Sequence, residues 1–337
     1  MGMQTRVIMK SFQPLALWMS IVALGAAAAA PAFAQTSAWP VRPVRMVLGL
    51  PPGSGSDLLA RALSQRLTPL WGQPVVVDNR PGGSMIVATE AVARAVPDGH
   101  TLLFALDSSF TVLPHLYAKL PYDPFKDFAP VVLLTSFGLA MVTHPNMKAD
   151  SVQELIAVAK RDPGKLTYGS VGAGSQMHLI GEMLGHRAGI RFTHVPYKGI
   201  PQMMTAVMTG EVDMTWVGVF TSRGLVAQKR LKALAYSGAK RTALMPDLPT
   251  FDELGLPDVG LSAWYGLMAP AGTPRAIVER IHADVMRLMA DPEFLEKEML
   301  SKAYEPAKLS PDEFATMIRD EFAARAPIVK LSGAKVE

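Results

Sequence analysis

The chain has 337 residues, 49% hydrophobic and 18% charged, with 33 Lys and Arg against 29 Asp and Glu, a formal net charge of +4 and no cysteine. At ~100–200 residues per domain this length holds two well-cored domains, and the charge is too high for a membrane bundle. The empty cysteine count excludes disulfides, thiolate metal sites and cysteine nucleophiles, and the absence of any Lys/Arg block leaves nucleic acid an unexpected partner.

Arg6 and Lys10 precede an apolar run from Leu15 to Ala30, followed by Pro31 and Ala32-Phe33-Ala34. A basic segment, an apolar segment and then a small-residue site make a secretory leader, with cleavage expected before Gln35. The apolar run is short of the ~20 residues a membrane span needs. With no cysteine for lipid attachment, the mature protein is expected to be exported, unanchored and nearly neutral once the two leader cations are removed.

Val44–Leu50 reads as a buried strand, Asp57–Leu70 as an amphipathic helix, Gln73–Asp78 as a strand, Ser84–Ala95 as a helix and Thr101–Leu106 as the next strand. This βαβαβ order implies a mostly parallel sheet covered by helices. A second run follows a strand-rich stretch, Ala129–Val142. It comprises helix Ser151–Arg161 with Ser151 as N-cap and Glu154 in the capping-box position, strand Leu166–Ser170, helix Gln176–Ala188 and strand Phe192–Val195. Helix Ile200–Thr209 and strands Val212–Val217 and Ala233–Ser237 close it. Leu261–Ala269 is again a strand. Pro274–Met289, Pro292–Leu300 and Pro311–Phe322 are helices that begin on proline. Two α/β modules with one strand leading in and another returning predict a bilobed molecule with hinge crossings near Leu134–Gly138 and Ser262–Gly266 and a cleft between facing strand ends.

Candidate chemistry concentrates in two loops. Gly53-Ser54-Gly55-Ser56-Asp57 lies between the first strand and first helix, where glycines let a ligand approach and free helix N–H groups attract anions. It is neither a dinucleotide fingerprint nor a phosphate loop, and it reads equally as a turn capped by Ser56 or Asp57. Ser170-Val171-Gly172-Ala173-Gly174-Ser175 repeats the arrangement in the second module, with His178 one turn on, balanced between binding and core packing. Asp107-Ser108-Ser109 follows the third strand and is either a third polar site or a polar turn. His178, His186 and His194 lack the geometry of a metal triad, and no metal or cofactor is expected. The order Gly169-Ser170-Val171-Gly172 is not a nucleophile elbow, so no catalytic set is assigned. Met203, Met204 and Met208 read as core, and Trp216 and Trp264 as either core or ligand-packing.

The chain resembles the periplasmic receptors of tripartite tricarboxylate transporters, the Bug receptors, along its whole mature length. The resemblance rests on Trp39-Pro40-x-Arg42-Pro43-x-Arg45, on Pro51-Pro52-Gly53 ending in Asp57, and on Gly72-Gln73-Pro74 through Asn79-Arg80-Pro81-Gly82. It continues with Pro97-Asp98-Gly99-His100-Thr101, Leu116-Tyr117 through Pro124, and Asp127-Phe128-Ala129-Pro130. Pro163-Gly164-Lys165-Leu166-x-Tyr168-Gly169-Ser170, His194-Val195-Pro196-Tyr197-Lys198-Gly199, Pro246-Asp247-Leu248-Pro249-Thr250 and Ala269-Pro270-Ala271-Gly272-Thr273-Pro274 complete it.

The resemblance implies a type II periplasmic-binding-protein fold of two doubly wound α/β lobes, 35–136 with 265–337 and 137–264. It implies a non-enzymatic, monomeric receptor that passes a small organic carboxylate to a membrane permease. A sensor-kinase receptor is the nearest alternative and an exported hydrolase a remote one. On the family pattern the carboxylate is held by Gly53–Asp57 and by Ser170, Gly174, Ser175 and His178, with Asp107–Ser109 and Tyr197 lining the cleft. Departures fall at Ser54, at the shortened run Gly82-Gly83-Ser84, at Met85 in place of a common Asn, and at Trp216-Val217-Gly218, where a carboxylate is lost. That loss, with Trp216 and Phe110, predicts an aromatic or branched distal group on the ligand.

Overall fold

The structure is a computed structural model that describes Gly2 and residues 39–332. The leader and its cleavage site before Gln35 lie outside the described residues.

Among the described residues the strands form two sheets. The first, six-stranded, runs β11-β4-β10-β3-β1-β2, and the second, five-stranded, runs β7-β6-β8-β5-β9. β1 (Val44–Leu48) pairs in parallel with β2 (Val75–Asn79) and with β3 (Thr101–Leu106). Helix α1 (Gly55–Trp71) connects β1 to β2 and α2 (Ile86–Ala93) leads toward β3, as the periodicity predicts. In the second sheet β6 (Thr167–Ser170) is parallel to β7 (Thr193–Pro196) and β8 (Met214–Gly218).

Both sheets are mixed rather than mostly parallel. β10 (Ala263–Pro270) runs antiparallel between β3 and β4 (Phe128–Phe137), and β5 (Leu139–Thr143) runs antiparallel between β8 and β9 (Lys232–Tyr236). The strand-rich stretch 129–142 is two strands in two sheets, parted only at Gly138. The chain returns between β9 and β10, where Ser237 donates its hydroxyl to the Leu261 carbonyl at 2.8 Å.

Ser151 caps the helix Val152–Arg161 by accepting the Glu154 N–H at 3.2 Å. Pro311 opens the C-terminal helix Pro311–Leu331 inside a full Ser310/Glu313 capping box, and that helix outruns its predicted end at Phe322. Elements not predicted from the sequence include the short helices Asp107–Thr111 and Leu113–Leu116, the helix Val219–Ala227 and the edge strand β11 (Glu305–Pro306). The first sheet encloses a core of Leu103, Phe110, Phe128, Trp264 and Phe314, and the second one of Val142, Val207, Val217 and Leu248.

Candidate ligand site between the two sheets

The first loop ends β1 and starts α1. Ser54, not Ser56 or Asp57, is the N-cap: its backbone is extended, and its Oγ accepts the Asp57 N–H at 3.3 Å and lies 3.0 Å from the Ser56 hydroxyl. Asp57 is 2% exposed and works on the loop itself. One of its oxygens accepts from Gly53 N–H at 2.9 Å and Arg61 Nε at 3.0 Å, and the other from Asn79 Nδ2 at 3.0 Å. Burial alone would raise this carboxyl, but those hydrogen bonds hold it below its ordinary range. Gly53, at φ +83°, makes the turn. Gly55 reaches the cavity, and a Cβ there would sit 2.5 Å from the Tyr304 hydroxyl and 3.7 Å from that of Tyr265. Only glycine keeps the start of α1 open beneath those two phenols.

The second loop is built the same way. Ser175 is the N-cap of the helix Gln176–Ala188, accepting the His178 N–H at 3.4 Å. Ser170 Oγ lies 2.6 Å from His194 Nε2 and accepts the Gly172 N–H at 3.0 Å. His178 Nδ1 accepts the Gly174 N–H at 3.2 Å. Burial, and then the His194 ring, lower the pKa of His178 to about 4, so it stays neutral and able to accept. Ala173, Gly174, Ser175 and Gln176 form cavity wall, whereas Ser170 and His178 brace the loop from behind.

The cavity between the sheets measures about 640 Å³, enough for a small organic acid. Asp107 and Ser108 line it. Ser109 does not: its carbonyl accepts from the Tyr122 hydroxyl at 2.8 Å, and its hydroxyl meets Thr89 at 3.5 Å. Tyr197 lines the wall and donates to Glu211 at 2.9 Å. Of the fourteen residues expected to bind, Gly55, Asp107, Ser108, Gly174, Ser175 and Tyr197 thus share one cavity, and Gly53, Ser54, Ser56 and Asp57 shape its first loop.

Trp216 requires correction. It is 0% exposed inside β8, edge-on to Tyr168 with ring centroids 5.7 Å apart, and does not line the cavity. Phe110 is likewise core, packed on Phe128 and Trp264. The aromatic wall is instead Phe137, Tyr265 and Tyr304, with centroids 4.6 Å apart for Phe137–Tyr265 and 5.7 Å for Tyr265–Tyr304. Phe137 and Tyr265 lie beside the predicted crossings, which was the available signal. Tyr304 had none, because it sits in an irregular stretch between two helices. Two cations also face the cavity. Lys302 is ion-paired to Glu298 and stands 5.9 Å from the Phe220 ring centre, while Lys198 is exposed and, among the described residues, has no carboxylate partner.

A cavity walled by two α/β sheets, with a capped helix start opening into it from each, is the architecture of a two-lobed ligand-binding protein. The chain belongs to the family described as the tripartite tricarboxylate transporter family receptor, which residues 59–334 match. That family is one of Bug-type solute-binding receptors rather than enzymes. The chain is 33% identical to protein BugT of Bordetella pertussis (strain Tohama I) over 310 residues, 92% of this chain and 94% of that one. Its fold matches the structure of R. palustris Rpa4515 with adipate at a TM-score of 0.84 and 30% identity, covering 88% of this chain and all of the other. The periplasmic binding protein BugD matches at 0.82 and 29% identity, covering 89% of this chain and all of the other.

Proposed function

We propose that the cavity captures a small organic acid, with one carboxylate seated against the helix starts at Gly55 and at Gly174–Gln176, and that the protein delivers it to a membrane permease of the tripartite type. The observation that carries this reading is the meeting of two small-residue helix starts, one from each sheet, in one cleft. Free N–H groups and the positive end of each helix favour an anion there. The adipate held by a structural relative supports the carboxylate class. The crossings at Gly138 and between β9 and β10 act as hinges of a monomer whose two lobes part there, close to the expected limits, with Phe137 and the whole of β10 on the first lobe. Export and release of the mature chain at Gln35 belong to the same reading. An aromatic or branched distal group remains the preferred ligand feature, now on the strength of Phe137, Tyr265, Tyr304, Phe220 and Met85.

A thermal-shift panel of organic acids tests this directly: a true ligand at ~100 times its Kd adds about 2.7 kcal/mol of apparent stability. Ser175→Asp is the matching variant, because aspartate still caps the helix while adding a charge to the cavity wall. Its affinity for any hit should fall at least about tenfold, ~1.4 kcal/mol, with the ligand-free melting temperature little changed. Undiminished binding would sink the two-loop arrangement.

A further inference from the structure

Among the described residues lining the cavity, Asp107 is the only carboxylate. It is 4% exposed, at the start of the short helix that follows β3. The charged and titratable groups around it come from several elements. The C-terminal helix brings Glu321 and Arg325, both acting electrostatically on Asp107. Arg325 is itself buried and donates to the Ser262 carbonyl at 3.0 Å, and Glu321 accepts from Trp264 Nε1 at 2.8 Å. β10 brings Tyr265, hydrogen-bonded to Ser56 and to Tyr304, and burial, the neighbouring Tyr304 and the Asp107 charge all keep it un-ionised. β3 brings no titratable side chain. His115 is stacked on Phe322, with Nε2 against the Phe322 carbonyl. Tyr197, Lys198 and the Glu298-paired Lys302 line other parts of the wall. One guanidinium therefore stands against a buried carboxyl, Asp107, and a half-buried one, Glu321.

An anion entering this cleft meets Asp107 on the wall. Two carboxylates in one low-dielectric space do not both stay ionised, and the favourable arrangement is a shared proton. We propose that Asp107 is a specificity-determining residue that, as the neutral acid, donates a hydrogen bond to the carboxylate of the bound ligand, so that capture takes up one proton. This rests on the receptor reading above and adds the protonation state in which that site binds. Burial already pushes the Asp107 carboxyl up to about 7, against the pull of Arg325, so the neutral form is accessible before ligand arrives. A bound anion raises it further. Affinity is then level while Asp107 is protonated in the free protein, and falls toward tenfold per pH unit above that point, where each binding event draws a proton from solvent. A ligand ammonium at the same place gives the reverse slope and releases a proton.

The test is isothermal titration calorimetry with adipate, succinate and benzoate from pH 6.5 to 8.5. Paired buffers of different ionisation enthalpy read the proton count, and wild type is compared with Asp107→Asn and Asp107→Ala. Wild type should take up close to one proton per ligand at pH 8 and lose about tenfold in affinity between pH 7.5 and 8.5. Asn keeps an N–H donor without a titratable proton. Asp107→Asn should show no slope and bind about thirtyfold tighter than wild type at pH 8.5, while Asp107→Ala, lacking the donor, should be flat and weaker than Asp107→Asn throughout. Binding with no pH slope, with proton release, or with the slope intact in Asp107→Asn overturns the assignment of Asp107 and leaves the receptor reading standing. If no probe binds wild type or Asp107→Asn at pH 6.5, both readings fall together.

Discussion

His178 and His194 lie ring against ring beneath the second loop, with centroids 4.4 Å apart, each with its pKa lowered by burial. In the unfolded chain a histidine takes a proton near pH 6.5, but folded His178 resists it until about pH 4. A folded pKa below the unfolded one contributes stability that is present above pH 6.5 and is lost as pH falls toward the folded value. At full extent this is roughly 3 kcal/mol for His178. His178→Gln keeps an acceptor for the Gly174 N–H and removes the titration. Its melting temperature should therefore fall less than that of wild type between pH 6.5 and 4.5, and parallel curves would remove His178 as the cause. Met85, on the cavity wall, is a second unusual residue: it holds a left-handed φ of 76°, which suits Asn better than a long side chain. Gly49 makes the position possible, since a Cβ there would sit 2.7 Å from Met85 Cβ.

Among the elements, the loop from β6 to its helix is fixed by what it touches. Gly174 has φ +78°, and a Cβ there would run into Leu116 and come within 3.1 Å of Leu113, both on the short helix Leu113–Leu116. The second-sheet loop thus seats directly on a helix attached to the first sheet. Gly174→Ala combines left-handed strain with overpacking and should cost roughly 2–4 kcal/mol, read by chemical denaturation. A loss under 1 kcal/mol would mean that this seat is loose. The two loops were legible because glycine and serine between a strand and a helix announce a helix start whatever surrounds them. Their division of labour was not legible. Asp57 and His178 look like ligand groups in sequence, and only the long-range partners Asn79 and His194 reveal them as braces. Trp216 misled for the same reason: its neighbour Gly218 reaches the cavity while Trp216 itself is wrapped by Tyr168. Strand β10 was expected as Leu261–Ala269, but its antiparallel place between β3 and β4 was not, because periodicity shows a strand and not its partners.

At the scale of the molecule, the two passages of chain between the sheets are hydrogen-bonded to each other. Gly138 N–H donates to the Tyr236 hydroxyl at 2.8 Å, Leu139 N–H to Ser237 Oγ at 2.8 Å, and Ser237 N–H to the Leu139 carbonyl at 2.9 Å. A Cβ on Gly138 would meet the Tyr236 ring at 2.5 Å and the Gly238 backbone. Gly138→Ala should therefore destabilise the whole fold by about 1–3 kcal/mol and shift the ligand titration along with it. A variant as stable as wild type would show that the crossing tolerates bulk.

The placement of β10 has a further consequence for how the chain assembles as it is made. The second sheet draws all its strands from one uninterrupted stretch, 139–236, whereas the first has a gap between β3 and β4 that only residues 263–270 fill. A chain delivered N-terminus first completes its later sheet before its earlier one. Until β10 arrives, β3 and β4 present unpaired edges that invite intermolecular pairing. Truncation or stalling between residues 237 and 262 leaves a complete second sheet tethered to an aggregation-prone half-sheet.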